Sequence, residues 1–376
     1  MGVLSSSASL LTHEGDHPSS IDAPAIDTSE IRVAVDAVLA GFLDAKLRDA
    51  DTPALSAAIG TLRGFVLAGG KRIRPVLCVC GWYAGRGEGD LDPVLRAAAS
   101  LELFHAFALI HDDVMDGSAT RRGQPSVHRA LADIHRRQGG RGDADRFGSN
   151  AAVLLGDLTL VWSYELLHTA GLAHDRERAA TAVLDAMRTE VMLGQYLDLL
   201  GDGGAEGGEF ARALAIARYK TAKYTVERPL HLGAVLAGAD SATTEACTDF
   251  ALPVGEAFQF RDDLLGVFGD PLKTGKPVVD DLREGKHTVL MAIAAERASP
   301  SQLRLLEDLV GDQALDERQA GAVRAVLEET GARQEVERMI TDRHRMALAV
   351  LGRAPFPPAV TATMRRLARS LCARVS

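Results

Sequence analysis

Three carboxylates crowd into five residues at Asp112-Asp113-Val114-Met115-Asp116, at the end of an apolar run through Leu101, Leu103, Phe104 and Leu109. On a helix, Asp112 and Asp116 lie one turn apart on the same face, where their oxygens could share a hard cation. The plainer alternative is a solvated acidic helix end. Carboxylates at a helix C-terminus, however, oppose the macrodipole and repel one another, which favours a metal site. Arg121-Arg122-Gly123 follow at once and bring two guanidinium forks to where metal-bound phosphate would sit. His105, two turns before Asp112 and about 10 Å away along the axis, is placed for a second phosphate group.

A separate basic cluster, Gly69-Gly70-Lys71-Arg72-Ile73-Arg74-Pro75, opens another helix, where glycines permit close backbone approach and a helix N-terminus favours anions. It lacks the P-loop pattern. Late in the chain, Phe258-Gln259-Phe260-Arg261-Asp262-Asp263 closes a second apolar helix with paired carboxylates, trailed by Lys273, Lys276 and Lys286. Two acidic helix ends, each followed by cations, fit a diphosphate bridged by magnesium between two carboxylate walls.

The elements that must position these groups read as helices. Apolar residues recur at spacings of three and four from Ser29 onward, as in Ile31, Val35, Val38, Leu39 and Phe42. Ala- and Leu-rich segments near 91–116, 149–170, 174–200 and 241–268 predict long helices, and no stretch alternates as an exposed strand would. Thr52-Pro53, Asp92-Pro93 and Ser299-Pro300 predict capped helix starts. The expected fold is all-α, a single-domain bundle spanning residues 29–376 behind a disordered leader, residues 1–28. Gly139–Gly148 is expected to be a mobile surface loop.

The chain has 376 residues, 47% of them hydrophobic, and a formal net charge of −9. That balance argues against a nucleic-acid partner, because binding a phosphate backbone needs a basic surface. Four cysteines without a C-x-x-C pair suit a reducing, cytoplasmic setting. No apolar run is expected to reach the roughly 20 residues of a membrane span.

Taken together and in this order, Gly69–Pro75, the DDxxD motif at Asp112–Asp116, Arg121-Arg122-Gly123 and Phe258-Gln259…Asp262-Asp263 resemble the trans-isoprenyl diphosphate synthase family, over about residues 30–375. The resemblance implies a helical bundle around a deep central cavity with the two acidic motifs on facing helices at its mouth, usually a homodimer. It implies that Lys71, Arg74, His105 and Arg122 bind isopentenyl diphosphate. Asp112 and Asp116 would ligate magnesium for the allylic diphosphate, supported by Asp113, and Arg121 would contact the same group. Lys220 and Thr221 match the family's Lys-Thr pair. Gln259, Asp262, Asp263, Lys276 and Lys286 match positions around that diphosphate, with Asp262 a ligand of a third magnesium ion. One departure stands out: Asp262-Asp263-Leu264-Leu265-Gly266 has glycine where a third acid often stands, and Asp270, Asp280 or Asp281 are candidates to assist.

In this family the residues upstream of the first motif tune product length. Phe107, five residues before Asp112, would sit about 7.5 Å below the metal, and Phe104 about 12 Å below it. Bulk at Phe107 beside the small Ala108 resembles enzymes making geranylgeranyl diphosphate; farnesyl diphosphate is the alternative product. Rival readings are a class I terpene cyclase, which needs only one diphosphate site, and a noncatalytic partner subunit, which would not need to keep both acidic motifs.

Overall fold

The structure, a computed structural model, describes residues 26–200, 208–269 and 279–373; Lys273, Lys276, Asp270 and most of the expected leader lie outside them. The described chain is all-α apart from a two-residue antiparallel pairing, and it divides into two compact units. The first comprises described residues 26–180 and 233–238, and the second comprises 181–232 and 239–373.

In the first unit α1 (Thr28–Arg48) starts one residue before Ser29, N-capped by Asp27 and preceded by the buried Ile26. Thr52 caps α2 (Pro53–Leu67) through its hydroxyl, as its position before a proline predicts. α3 (Ile73–Ala84) leads to α4 (Asp92–Met115), which packs on α3, α1 and α6 (Ala144–His168), while α5 (Val127–Arg137) lies on α6. The Asp92 cap is not formed: Asp92 is the first helical residue, and its carboxylate pairs with Arg96 at 2.8 Å instead. α4 is buried on every side from Ala97 to Phe104. By length and composition it is apolar enough to cross a membrane, contrary to expectation, but most of it is buried, as a core helix is. The loop expected at 139–148 is shorter. Asp143 caps α6, so residues 144–148 are helical, and Gly148 lets α6 approach the His128 carbonyl.

In the second unit α7 (His174–Leu199) contributes its residues from 181 on, followed by α8 (Gly208–Ile216), a π-helix (Ala217–Glu227) and the start of α9 (Arg228–Ala237). α10 (Ser241–Phe268) packs on the π-helix and on α15 (Ala332–Leu351). α11 (Asp280–Arg283), α12 (Val289–Arg297), α13 (Pro300–Leu309), α14 (Glu317–Glu329) and α16 (Pro358–Cys372) complete the unit. Its core joins Phe260 and Leu264 of α10 to Leu290 and Ile293 of α12, Leu327 of α14 and Val336 of α15.

Candidate active site

The first acidic motif closes α4. Asp112 and Asp113 lie in its last turn and Asp116 is the C-cap, its amide bonded to the Asp112 carbonyl at 2.9 Å. Asp113 is fully buried and Asp112 is partly exposed. Both are held by Arg121, whose Nε donates to Asp113 Oδ1 at 2.8 Å and whose Nη2 donates to Asp112 Oδ2 at 3.2 Å and also to Asp113 Oδ1. Arg121 reaches them because β1 (Thr120–Arg121) turns back on β2 (Gln124–Pro125). The turn residues Arg122 and Gly123 both have positive φ, as a tight type I′ hairpin requires. Sequence alone did not anticipate this hairpin.

The second arginine of the pair goes elsewhere. Arg122 Nη1 donates to the Gly69 carbonyl at 2.6 Å, and its guanidinium lies over Gly70, 3.5 Å from where a β-carbon would stand. His105, Arg74 and Arg122 are near enough for their charges to interact, and burial together with these arginines and Arg121 keeps the His105 imidazole well below its usual pKa, hence neutral at pH 7. The glycine loop, Arg74, His105 and Arg122 therefore form one basic cluster in the first unit, with the exposed Lys71 next to it in sequence. Arg72, which the sequence grouped with these cations, has a structural role. It is buried in a left-handed conformation and bridges Glu102 at 2.7 Å and Asp36 at 2.8 Å.

Upstream on α4, the Phe107 ring packs between Phe104 and His111, with centroids 5.3 and 4.7 Å apart. Gly156 of α6 admits His111: a β-carbon there would come within 2.3 Å of the imidazole. Ala108 is half-buried beside Phe107.

In the second unit Lys220 and Thr221 lie on the π-helix, a form that recurs at functional sites because it re-aims one turn of side chains. Glycines admit it on both sides: a β-carbon at Gly194 of α7 would meet the Lys220 amide at 2.7 Å, and one at Gly255 of α10 would meet Ala222 Cα at 2.4 Å. Thr221 donates to Gln259 Oε1, and Gln259 Nε2 donates to Asp263 Oδ1 at 2.7 Å, so α10 and the π-helix share one hydrogen-bond chain. Burial raises the Asp263 carboxyl to about 8, with further repulsion from Asp262 and Asp281. Asp262 itself is exposed. Lys286 pairs with Asp281 at 2.6 Å and Glu284 at 2.8 Å.

Sequence reading missed Asp198, which pairs with Lys220 at 2.8 Å, and Glu190, which holds Lys223 at 2.9 Å and Arg228 at 2.6 Å. Their spacing of eight along α7, which sets both acids on one helical face, was the available signal.

Among the described residues no three histidine, cysteine or carboxylate groups converge into a ready-made metal cage. Magnesium does not need one, since it keeps several waters and is held through one or two carboxylates plus substrate phosphates. Asp112 and Asp116, hard oxygen donors one turn apart, fit that requirement. The site offers no thiolate that would favour a soft metal.

Comparison with known proteins bears on family and fold. A sequence model of the polyprenyl synthetase family matches residues 59–329. A geranylfarnesyl diphosphate synthase from Aeropyrum pernix is 33% identical over 77% of the chain and 85% of its own length. A geranylgeranyl diphosphate synthase from Mycobacterium tuberculosis is 33% identical over 81% of each. The crystal structure of a geranylgeranyl pyrophosphate synthase from Corynebacterium glutamicum, complexed with isoprenyl diphosphate and magnesium, superposes with a TM-score of 0.89 at 41% identity, covering 93% of this chain and 100% of that one. The ordered motifs, the helical architecture and a match across most of the sequence agree, and the chain belongs to the polyprenyl synthetase family.

Proposed function

We propose that the chain is a magnesium-dependent short-chain prenyltransferase that joins an allylic diphosphate to isopentenyl diphosphate, with geranylgeranyl diphosphate as main product. The observation that carries this reading is a pair of distinct charged features within the first unit: the carboxylates closing α4, suited to a metal ion, and the basic cluster of Arg74, His105 and Arg122 by the Gly69-Gly70 loop, suited to a diphosphate. A terpene cyclase has no use for the second. A noncatalytic subunit has no use for the first.

Lys71, Arg74, His105 and Arg122 bind isopentenyl diphosphate, the neutral imidazole as a hydrogen-bond partner and the cations as charge partners. Asp112 and Asp116 hold magnesium on the allylic diphosphate, Asp113 fixes Arg121 beside it, and Asp262 serves a third ion. When bound, the metal supplies charge stabilisation for the departing diphosphate. Lys220, Thr221, Gln259 and Lys286, with Lys276, orient that group and neutralise its charge. The allylic carbocation is attacked by the double bond of isopentenyl diphosphate, and the proton then lost passes to the departing diphosphate. Apolar side chains exclude water from the cation.

Relatives named for geranylgeranyl and geranylfarnesyl products leave chain length to this sequence's own residues. Phe107 beside Ala108 supports the twenty-carbon product. Phe147, Leu154 and Val161 recur every seven residues along α6 and are exposed, which supports a homodimer formed on that face. The buried cysteines suit a cytoplasmic setting.

Diphosphate release tests the reaction class. Release should require both substrates and magnesium together. Release from an allylic diphosphate alone, with a hydrocarbon product, would identify a cyclase instead.

A further inference from the structure

The glycine at position 266 breaks the second acidic motif where a third carboxylate often stands, and the structure shows what occupies its place. A β-carbon built on Gly266 would lie 1.8 Å from Asp281 Oδ2, 2.8 Å from its Cγ and 3.3 Å from its Cβ. Two of these separations are below any real contact, and all three involve the one Asp281 side chain. Asp281, on α11, thus rests on the bare face of α10 one turn after Asp262, and its other oxygen accepts from Lys286 Nζ at 2.6 Å. A second carboxylate, Glu284, meets the same ammonium at 2.8 Å. Burial alone would lower the Lys286 pKa, and these two carboxylates more than reverse that, so the lysine stays charged.

We infer that Asp281 is the positioning residue for Lys286, and that residue 266 is glycine because the Asp281 carboxylate must seat there. The inference rests on Lys286 acting as a diphosphate ligand. It adds that the missing third acid is no loss. Charge that α10 does not carry at 266 is delivered by α11, bound to the lysine it orients. Side chains of any size at 266 displace that carboxylate, so restoring the acid in sequence breaks the arrangement in space. Glu284 adds to the charge balance of the lysine, while Asp281, seated on Gly266 of α10, fixes where the ammonium points.

The test is a double-mutant cycle read as substrate-resolved kinetics. Asp281→Asn keeps the shape and loses the charge-assisted bond, and it should raise the Michaelis constant for the allylic diphosphate about tenfold or more while changing that for isopentenyl diphosphate less than about twofold. In a Lys286→Ala background the same change should have little further effect. Gly266→Asp and Gly266→Ala should impair the wild type in the same direction, whereas the Gly266→Ala change should add little once Asp281 is alanine. Circular dichroism and thermal melting separate these effects from loss of fold. An active Gly266→Asp enzyme with wild-type allylic affinity, or an Asp281→Asn effect that persists without Lys286, overturns the inference. If Lys286→Ala alone leaves allylic binding untouched, the failure lies in the ligand role of Lys286, and the positioning role falls with it.

Discussion

Phe107→Ala tests the chain-length reading most sharply. The Phe107 ring is 8% exposed and lies between Phe104 and His111 on α4. Truncation removes everything beyond the β-carbon, and the next bulky side chain on the same face is Phe104, three residues or about 4.5 Å further from Asp112. A polypeptide advances at most about 3.5 Å over three backbone bonds, so the four bonds of one isoprene unit span about 5 Å. The void therefore admits one further unit, and the main product should shift from twenty to twenty-five carbons. Because the ring is nearly buried, the free enzyme should also lose about 3–5 kcal/mol, the usual cost of removing an aromatic core side chain. The assay is chromatographic sizing of dephosphorylated products from wild type and variant at equal turnover, alongside urea unfolding. An active variant with the wild-type product distribution would show that Phe107 is ordinary core and that the floor lies elsewhere.

Asp112→Ala, or chelation of the wild type, should abolish turnover while leaving the far-ultraviolet circular dichroism unchanged, because the partly exposed carboxylate is proposed to hold the metal and lies outside the core; full activity in excess chelator contradicts the metal assignment. Lys71→Ala or Arg74→Ala should raise the Michaelis constant for isopentenyl diphosphate far more than that for the allylic partner, and equal effects on both would remove the basis for two sites. Glu102→Ala should destabilise the protein by about 3–5 kcal/mol in urea titration, since it removes the buried carboxylate facing the buried Arg72 guanidinium and leaves it the half-exposed Asp36 and the Val66 carbonyl. His105 titrates well below 6.5 when folded and near 6.5 when unfolded, so its share of stability is complete above about pH 6.5 and declines as the pH falls below that value. His105→Gln should flatten that part of the urea midpoint profile between pH 7.5 and 5.5, and an unchanged profile would mean the imidazole is not held neutral.

Much of this architecture was legible in the sequence because helical periodicity and caps are local signals. The segments expected at 91–116 and 241–268 correspond to α4 and α10, and the caps at Thr52 and Ser299 form as expected. What sequence reading missed depends on partners far along the chain or on subtle backbone changes. Arg72 stands between Lys71 and Arg74 and looks like a third ligand, but its fate is set by Glu102, thirty residues on, and by a left-handed backbone. The π-helix beneath Lys220 and Thr221 has no periodicity signal of its own, since it differs from an α-helix by a small local rewinding. The hairpin that delivers Arg121 is too short to show alternation, and its turn places an arginine where asparagine is the usual residue. Gly266 reads as a defect in a motif until Asp281 is seen resting on it.

Successive condensation at two diphosphate sites should give a twenty-carbon diphosphate as the main product of this chain. Incubating the purified protein with dimethylallyl and isopentenyl diphosphates plus magnesium, then sizing the products, tests it directly. Geranylgeranyl diphosphate should dominate, with isopentenyl label in every added unit. Hydrocarbon formed from one substrate, or no chain growth at all, would contradict it.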